Sequence, residues 1–240
     1  MGWRSTVSFS RIAARDNIPK LKSEISDFIK YISYYTVPVA GILVVLSAPL
    51  ISILFQRGNF GPDESRYVGY ALAFYSPWFA QFGIGLIIRR AFFAMKESVI
   101  PAVLGIWAML ANILLNVILL QPLGIRGLAL ATTLTSAAKT LFLLYFLRKR
   151  LGGIHGSDFV PEFLKILAAS LVLIAYLVFS GYVFPIDLAA SLSARLLNIS
   201  VAIVPGLVLY VGTTALFRSK TYGIYSGIIR RKLSRGDRAR

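Results

Sequence analysis

A handful of polar residues fall inside otherwise apolar stretches of this 240-residue sequence, and their spacing groups them. Asn112 and Asn116 stand four apart and share one helix face. Thr132, Ser136, Lys139 and Thr140 follow helical spacing as a second polar stripe. Counted outward from Gly124, Asn116 pairs in depth with Thr132, and Asn112 with Ser136. An antiparallel hairpin turning at Gly124 would therefore bring four oxygen-bearing side chains to two adjacent levels. Two chemistries fit that arrangement. One is hydrogen bonding between helices, at roughly 0.6 kcal/mol per pair. The other is a site for a hard cation or a coupled substrate, since amide and hydroxyl oxygens suit such an ion. No carboxylate lies near this level, so a cation site would draw its charge from elsewhere. Gly127, Ala131 and Thr135 form a small-residue strip for close helix packing.

Charged residues add a second candidate. Lys139 lies about nine residues, or roughly 13 Å, from Arg148, too far for its stem to carry the ammonium fully to the interface. It faces a water-filled cavity, snorkels in part, or pairs with an acid outside this chain. Arg89 and Arg90 close an apolar stretch, as a topology anchor or as a basic mouth able to grip phosphate. Lys165, Asn198 and the single histidine, His155, read as interfacial or solvated. Asp63 and Glu64 are neighbours, suited to capping the following helix rather than to acid–base work. With no cysteine and one histidine, thiolate zinc sites, cysteine nucleophiles and a Ser-His-Asp triad fall away, and no enzyme activity is expected.

The elements that must position these residues are set by composition. Hydrophobic residues make up 57% and charged residues 15%, against about 45–50% and 25% in soluble proteins. Six apolar stretches reach the roughly 20 residues of a spanning helix: 32–55, 67–88, 99–120, 127–147, 163–184 and 196–217. They lack strand alternation. The expected fold is all-α: a polytopic membrane helix bundle of six transmembrane helices. Pro38, Pro77 and Pro205 lie inside spans and require neighbours to repair the broken hydrogen-bond ladder.

The net charge of +16 is distributed by side of the membrane, which argues against nucleic acid. Segments 1–31, 89–98, 148–165 and 218–240 hold nearly all the Lys and Arg. The alternate connections hold only Arg57, Arg66, Arg126 and Arg195. The positive-inside rule then places both termini in the cytoplasm of a multi-pass plasma-membrane protein. Three parts follow: a cytoplasmic lead-in at 1–31, a six-helix lobe at 32–217 and a basic cytoplasmic tail at 218–240. No secretory signal precedes the first span. From Asp16 to Ile32 the lead-in reads as an amphipathic surface helix, with Leu21, Ile25, Phe28, Ile29 and Ile32 at helical spacing. The tail is suited to anionic lipid.

Three motifs then carry a resemblance. Leu54-Phe55-Gln56-Arg57-Gly58-Asn59-Phe60 resembles the LFxRGxF signature of the MurJ/MviN family. Arg90-Ala91-Phe92-Phe93-Ala94-Met95-Lys96 is similar to its ARAFYALGD segment, with Met-Lys-Glu in place of Leu-Gly-Asp. The run from Asn112 to Thr132 resembles the hairpin of the wider MOP exporter superfamily, which also admits polysaccharide or O-antigen flippases. The likeness is carried by motif over residues 5–152 and by topology beyond. It implies the C-terminal lobe of a flippase that moves undecaprenyl-linked peptidoglycan precursor (lipid II) outward across the bacterial inner membrane by alternating access. It also implies an N-terminal lobe, in the same protein or a second chain, whose cationic cavity residues have no counterpart here. Asn112, Asn116, the carbonyl of Leu128 and the hydroxyl of Thr132 would correspond to the family's sodium site, short of an acid, and no other cofactor is expected. Substrate contacts would fall to Lys139, Arg89 and Arg90. A non-transporting scaffold that recruits cell-wall enzymes through the tail is the reading from another class.

Overall fold

The computed structural model describes residues 17–153 and 159–218; the described residues form seven α-helices and no strand. They are α1 (Ile18–Val45), α2 (Ser47–Phe55), α3 (Pro62–Ala94), α4 (Val99–Leu123), α5 (Ile125–Leu151), α6 (Phe159–Val183) and α7 (Leu192–Leu216). All but the short α2 are long and apolar enough to cross a membrane. The six expected spans are therefore present. The 1–16 part of the lead-in, His155 and the tail beyond Arg218 lie outside the described residues.

The helices stand as a row. α4 packs on α5, α5 on α3, α3 on α1, α1 on α6 and α6 on α7, while α2 bridges α3 and the start of α7. We call the end carrying Arg89 and Arg148 the basic end and the other the Arg57 end.

Local chemistry sets the helix limits. Asn17 caps α1 by accepting from the Lys20 N–H at 3.1 Å. At the start of α3, Pro62 stands in the first turn and Glu64 accepts the Gly61 N–H at 2.8 Å. With Asp63 beside it, Glu64 also places negative charge at the positive end of the helix dipole. That is the capping role expected for this acidic pair. α4 turns into α5 through Gly124 alone, whose φ of 57° is the left-handed region that glycine enters without strain.

The lead-in differs from expectation in its boundary and in what covers it. No break falls near residue 32: α1 runs unbroken from Ile18 to Val45, and the interruption comes at Leu46, inside the expected first span. The amphipathic face is present, yet Leu21, Ile25 and Ile29 are fully buried against Ile88, Ala91, Phe92, Leu143 and Leu147. Neighbouring helices cover this stripe, not the lipid surface. Periodicity shows that a face is apolar; it does not show what will cover it.

A second cluster joins α1 to the α6/α7 hairpin through Ile42, Leu46, Ile166, Leu173, Leu177 and Ala202. Here the Pro38 break is repaired. Proline has no N–H for the carbonyl four residues back, which is that of Tyr34. The Tyr210 hydroxyl of α7 donates to this carbonyl at 2.8 Å. The Tyr34 hydroxyl in turn lies 3.3 Å from Thr214 Oγ1.

Candidate functional site

The polar hairpin forms, one step out of the expected register. The Asn112 amide donates to Thr135 Oγ1 at 3.2 Å and to Thr132 Oγ1 at 3.4 Å, and Asn116 donates to Asn112 Oδ1 at 3.1 Å. Asn112 thus meets Thr132 and Thr135 rather than Ser136, which has no hydrogen-bond partner among the described residues. The reason lies at the turn. Gly127 packs so tightly that a Cβ there would stand 2.1 Å from the Leu119 carbonyl oxygen. That contact sets the register, so Gly124 is not the symmetric centre that residue counting assumes. The small-residue strip therefore begins by packing α5 on its own hairpin partner.

The oxygens in this cluster are mostly engaged with one another. Thr132 Oγ1 donates to the Leu128 carbonyl at 3.1 Å, and Thr135 Oγ1 to the Ala131 carbonyl at 2.8 Å. The exception is Asn116 Oδ1, buried with no hydrogen-bond partner. An orphaned acceptor among neutral oxygens is what a hard cation or a donor would satisfy. Among the described residues no three His, Cys, Asp or Glu gather into a metal-binding group. The donor types fit sodium; the compensating charge does not come from these residues.

Lys139 and Arg89 come together at the α3/α5 contact, close enough for their charges to repel. Arg89 Nη1 and Thr140 Oγ1 both come within 3.2 Å of where a Gly85 Cβ would stand, so the missing side chain makes room for the guanidinium. Arg90 adds its charge beside Arg89. All three are half-buried. Neither Arg89 nor Lys139 has a hydrogen-bond or ion-pair partner among the described residues. The arrangement can attract an anion.

In the sequence Arg195 reads only as an outer charge, yet it is buried in α7. Its Nη1 donates to the Ser52 carbonyl at 2.9 Å and to Gln56 Oε1 at 2.5 Å, which clasps α7 to the end of α2. A cation at a helix C-terminus also complements the dipole there. Gln56 belongs to the LFxRGxF run, and that was the available signal. A pairing 139 positions apart is not written in spacing. At the same end, the Arg126 guanidinium sits 4.1 Å from the ring centre of Tyr70 and ties α5 to α3. Near the basic end Lys165 pairs with the buried Glu162 at 3.2 Å.

Comparison with known proteins gives a consistent result. The family model for lipid II flippase MurJ matches residues 6–209. A probable lipid II flippase MurJ from Rhizobium meliloti is 28% identical over 219 residues, which are 88% of this chain and 39% of that protein. Lipid II flippase MurJ from Thermosipho africanus is 26% identical over 170 residues, 71% of this chain and 34% of the relative. A solved lipid II flippase MurJ in an inward closed conformation superposes with a TM-score of 0.71 at 25% identity, covering 89% of this chain and 42% of that one. The chain thus spans less than half the length of these relatives.

Proposed function

The chain belongs to the MurJ family of lipid II flippases, as a multi-pass protein of the bacterial inner membrane, and we propose that it serves as one lobe of such a flippase. The lobe forms one wall of a path along which a lipid-linked peptidoglycan precursor moves from the inner to the outer leaflet. Alternating access about a central site needs an opposing wall, so transport requires a second lobe, in the same protein or another chain. The basic end lies at the cytoplasm, in keeping with the positive-inside rule.

The observation that carries this reading is the likeness of the whole helical row to the inward-closed MurJ structure. The basic end fits a diphosphate: Arg89 and Arg90 lie just over a turn before the end of α3 with Lys139 near Arg89, and Arg89 and Lys139 are unneutralised by any acid among the described residues. A guanidinium offers paired N–H donors to phosphate oxygens. Asn112, Asn116, the Leu128 carbonyl and Thr132 supply the neutral part of a sodium site.

The test is precursor export in cells depleted of their own flippase, with this chain supplied alongside the other lobe. Arg89→Gln combined with Arg90→Gln should lower the appearance of precursor in the outer leaflet by about tenfold, the effect of losing about 1.4 kcal/mol of binding. Unchanged export would remove the two arginines from the substrate path. Failure of the unsubstituted pair to export any precursor would overturn the lobe reading.

A further inference from the structure

Four arginines stand at the Arg57 end, and two of them are engaged there. Arg66 pairs with Asp63 at 3.6 Å, and Arg126 lies over the Tyr70 ring. Arg195 differs. Only 7% exposed, it meets neutral oxygens alone, the Ser52 carbonyl and Gln56 Oε1, both through Nη1. Its other edge is idle: Nε is buried without a partner, and Nη2 makes no hydrogen bond among the described residues. The described acids of this end are committed elsewhere, Asp63 to Arg66, Glu64 to the Gly61 N–H and Asp187 to the Ala189 N–H. The C-terminus of α2 supplies roughly half a negative charge, which leaves the guanidinium only partly compensated. The first turn of α7, which leads into Arg195, adds positive potential and holds no acid. A buried cation so placed calls for an anion.

A second cation lies one residue beyond Gln56. Arg57 is exposed, has no partner among the described residues, and opens a tight turn in which its carbonyl accepts the Phe60 N–H at 3.1 Å. Gly58 takes the positive φ of 58° that this turn requires. Gln56 ties the two arginines together, since its side chain accepts from Arg195 and its backbone continues into Arg57. Leu54 and Phe55, just before it, are exposed apolar side chains, and the Phe55 ring lies 6.4 Å from that of Phe60 across the turn. Unpaired cations beside exposed apolar groups, at the end of membrane-crossing helices, match an amphiphile with an anionic head better than an acidic protein loop.

We propose that Arg57 and the Nε/Nη2 edge of Arg195 form a phosphate site for a lipid headgroup at the Arg57 end, with Leu54 and Phe55 against its chains. The side-on edge of a guanidinium offers two parallel N–H donors to two oxygens of one phosphate. Nη1 already fixes the orientation of that fork, and Arg57 adds a second charge from the turn. A phospholipid and a polyprenyl diphosphate both carry this chemistry. The second source, and the assignment of this end to the outer leaflet, rest on the lobe reading above; the site itself does not. In that reading it receives the precursor's diphosphate as it leaves the path.

The test places the full chain in nanodiscs of equal parts phosphatidylglycerol and phosphatidylcholine. A photocrosslinking residue at Asn59, exposed on the turn, should capture phosphatidylglycerol about fivefold over phosphatidylcholine. At Leu120, exposed at the same end but on the α4 side of the row, the preference should be near unity. Arg57→Gln should bring the Asn59 preference close to unity without moving the unfolding midpoint. Arg195→Lys, which keeps the charge and loses the fork, should lower it in part. Undecaprenyl diphosphate added at a small mole fraction separates the sources. Loss of phosphatidylglycerol adducts at Asn59 assigns the site to the precursor's diphosphate, and unchanged adducts assign it to phospholipid. No preference at Asn59, or one that survives both substitutions, would overturn the proposal, as would crosslinks to an acidic protein segment in membranes of the source cells. Lipid capture needs no export, so a chain that exports nothing yet keeps the preference sustains the site and sinks the lobe reading alone.

Discussion

At one end of the row, α6 and α7 press a dry surface of Ile166, Ala169, Leu173 and Leu177 toward α1, and Tyr210 reaches across to satisfy the carbonyl that Pro38 leaves open. At the other end, α4 and α5 spend their polar groups on each other. Asn112, Asn116, Thr132 and Thr135 close a local network, and the outward face of α4 stays bare. Both are antiparallel helical hairpins of similar length. The α6/α7 pair leaves Arg195 Nε without a partner but holds that guanidinium through Nη1, whereas the α4/α5 pair retains an orphaned acceptor at Asn116 and, at Lys139, a cation with no partner among the described residues. Polar groups left unsatisfied inside a bilayer therefore distinguish a surface built for further contact from one built for lipid.

That contrast can be broken most forcefully at the tight turn. Gly127→Val should destabilise the α4/α5 hairpin by more than about 3 kcal/mol, because a Cβ cannot share space with the Leu119 carbonyl and backbone must move. Thermal unfolding in detergent should show a large drop, or no folded protein. Next comes Arg195→Met, which leaves the Ser52 carbonyl and Gln56 without their donor. The expected cost is about 1–3 kcal/mol, read as a lowered unfolding midpoint, and Arg195→Lys should recover only part of it.

Tyr210→Phe sharpens the comparison at the finished end. It should cost about 1–2 kcal/mol by stranding the Tyr34 carbonyl. Pro38→Ala restores an N–H at the break, so the double variant should be distinctly more stable than the sum of the two singles predicts. Additive effects would show that the hydroxyl is not repairing the proline gap. Asn112→Leu should cost no more than Tyr210→Phe, at about 0.6 kcal/mol for each of the three hydrogen bonds lost. Export assays decide its role. If Asn112→Leu and Lys139→Leu both leave precursor export intact in the assembled protein, the polar hairpin is glue and nothing more.

What local chemistry dictates is legible in the sequence. The spans follow from unbroken apolar runs, and the Glu64 cap from an acid placed just after Gly61-Pro62. The grouping of Asn112 and Asn116 with Thr132 follows from helical spacing alone. What depends on three-dimensional fit is not legible there. The hairpin register turned on how closely Gly127 approaches Leu119, which residue counting cannot supply. The stripe of Leu21, Ile25 and Ile29 was visible, but lipid and protein make the same demand on an apolar face, so its partners on α3 and α5 were not. Arg195 shows the same gap from the polar side, since its acceptors lie in α2 and just beyond it.

The unbroken course of α1 has a mechanical meaning. Its 28 residues form a rod about 42 Å long. Pro38 is its weak point, and the segment from Leu21 to Pro38 is a lever arm of about 25 Å. A tilt of about 10° at that joint would sweep the arm's tip through about 4 Å. Because the tip is wedged beneath Phe92 and Leu147, the ends of α3 and α5 must travel with it. Small angular adjustments at the proline, held by a tyrosine from α7, would be geared into displacements of about 4 Å at the ends of α3 and α5.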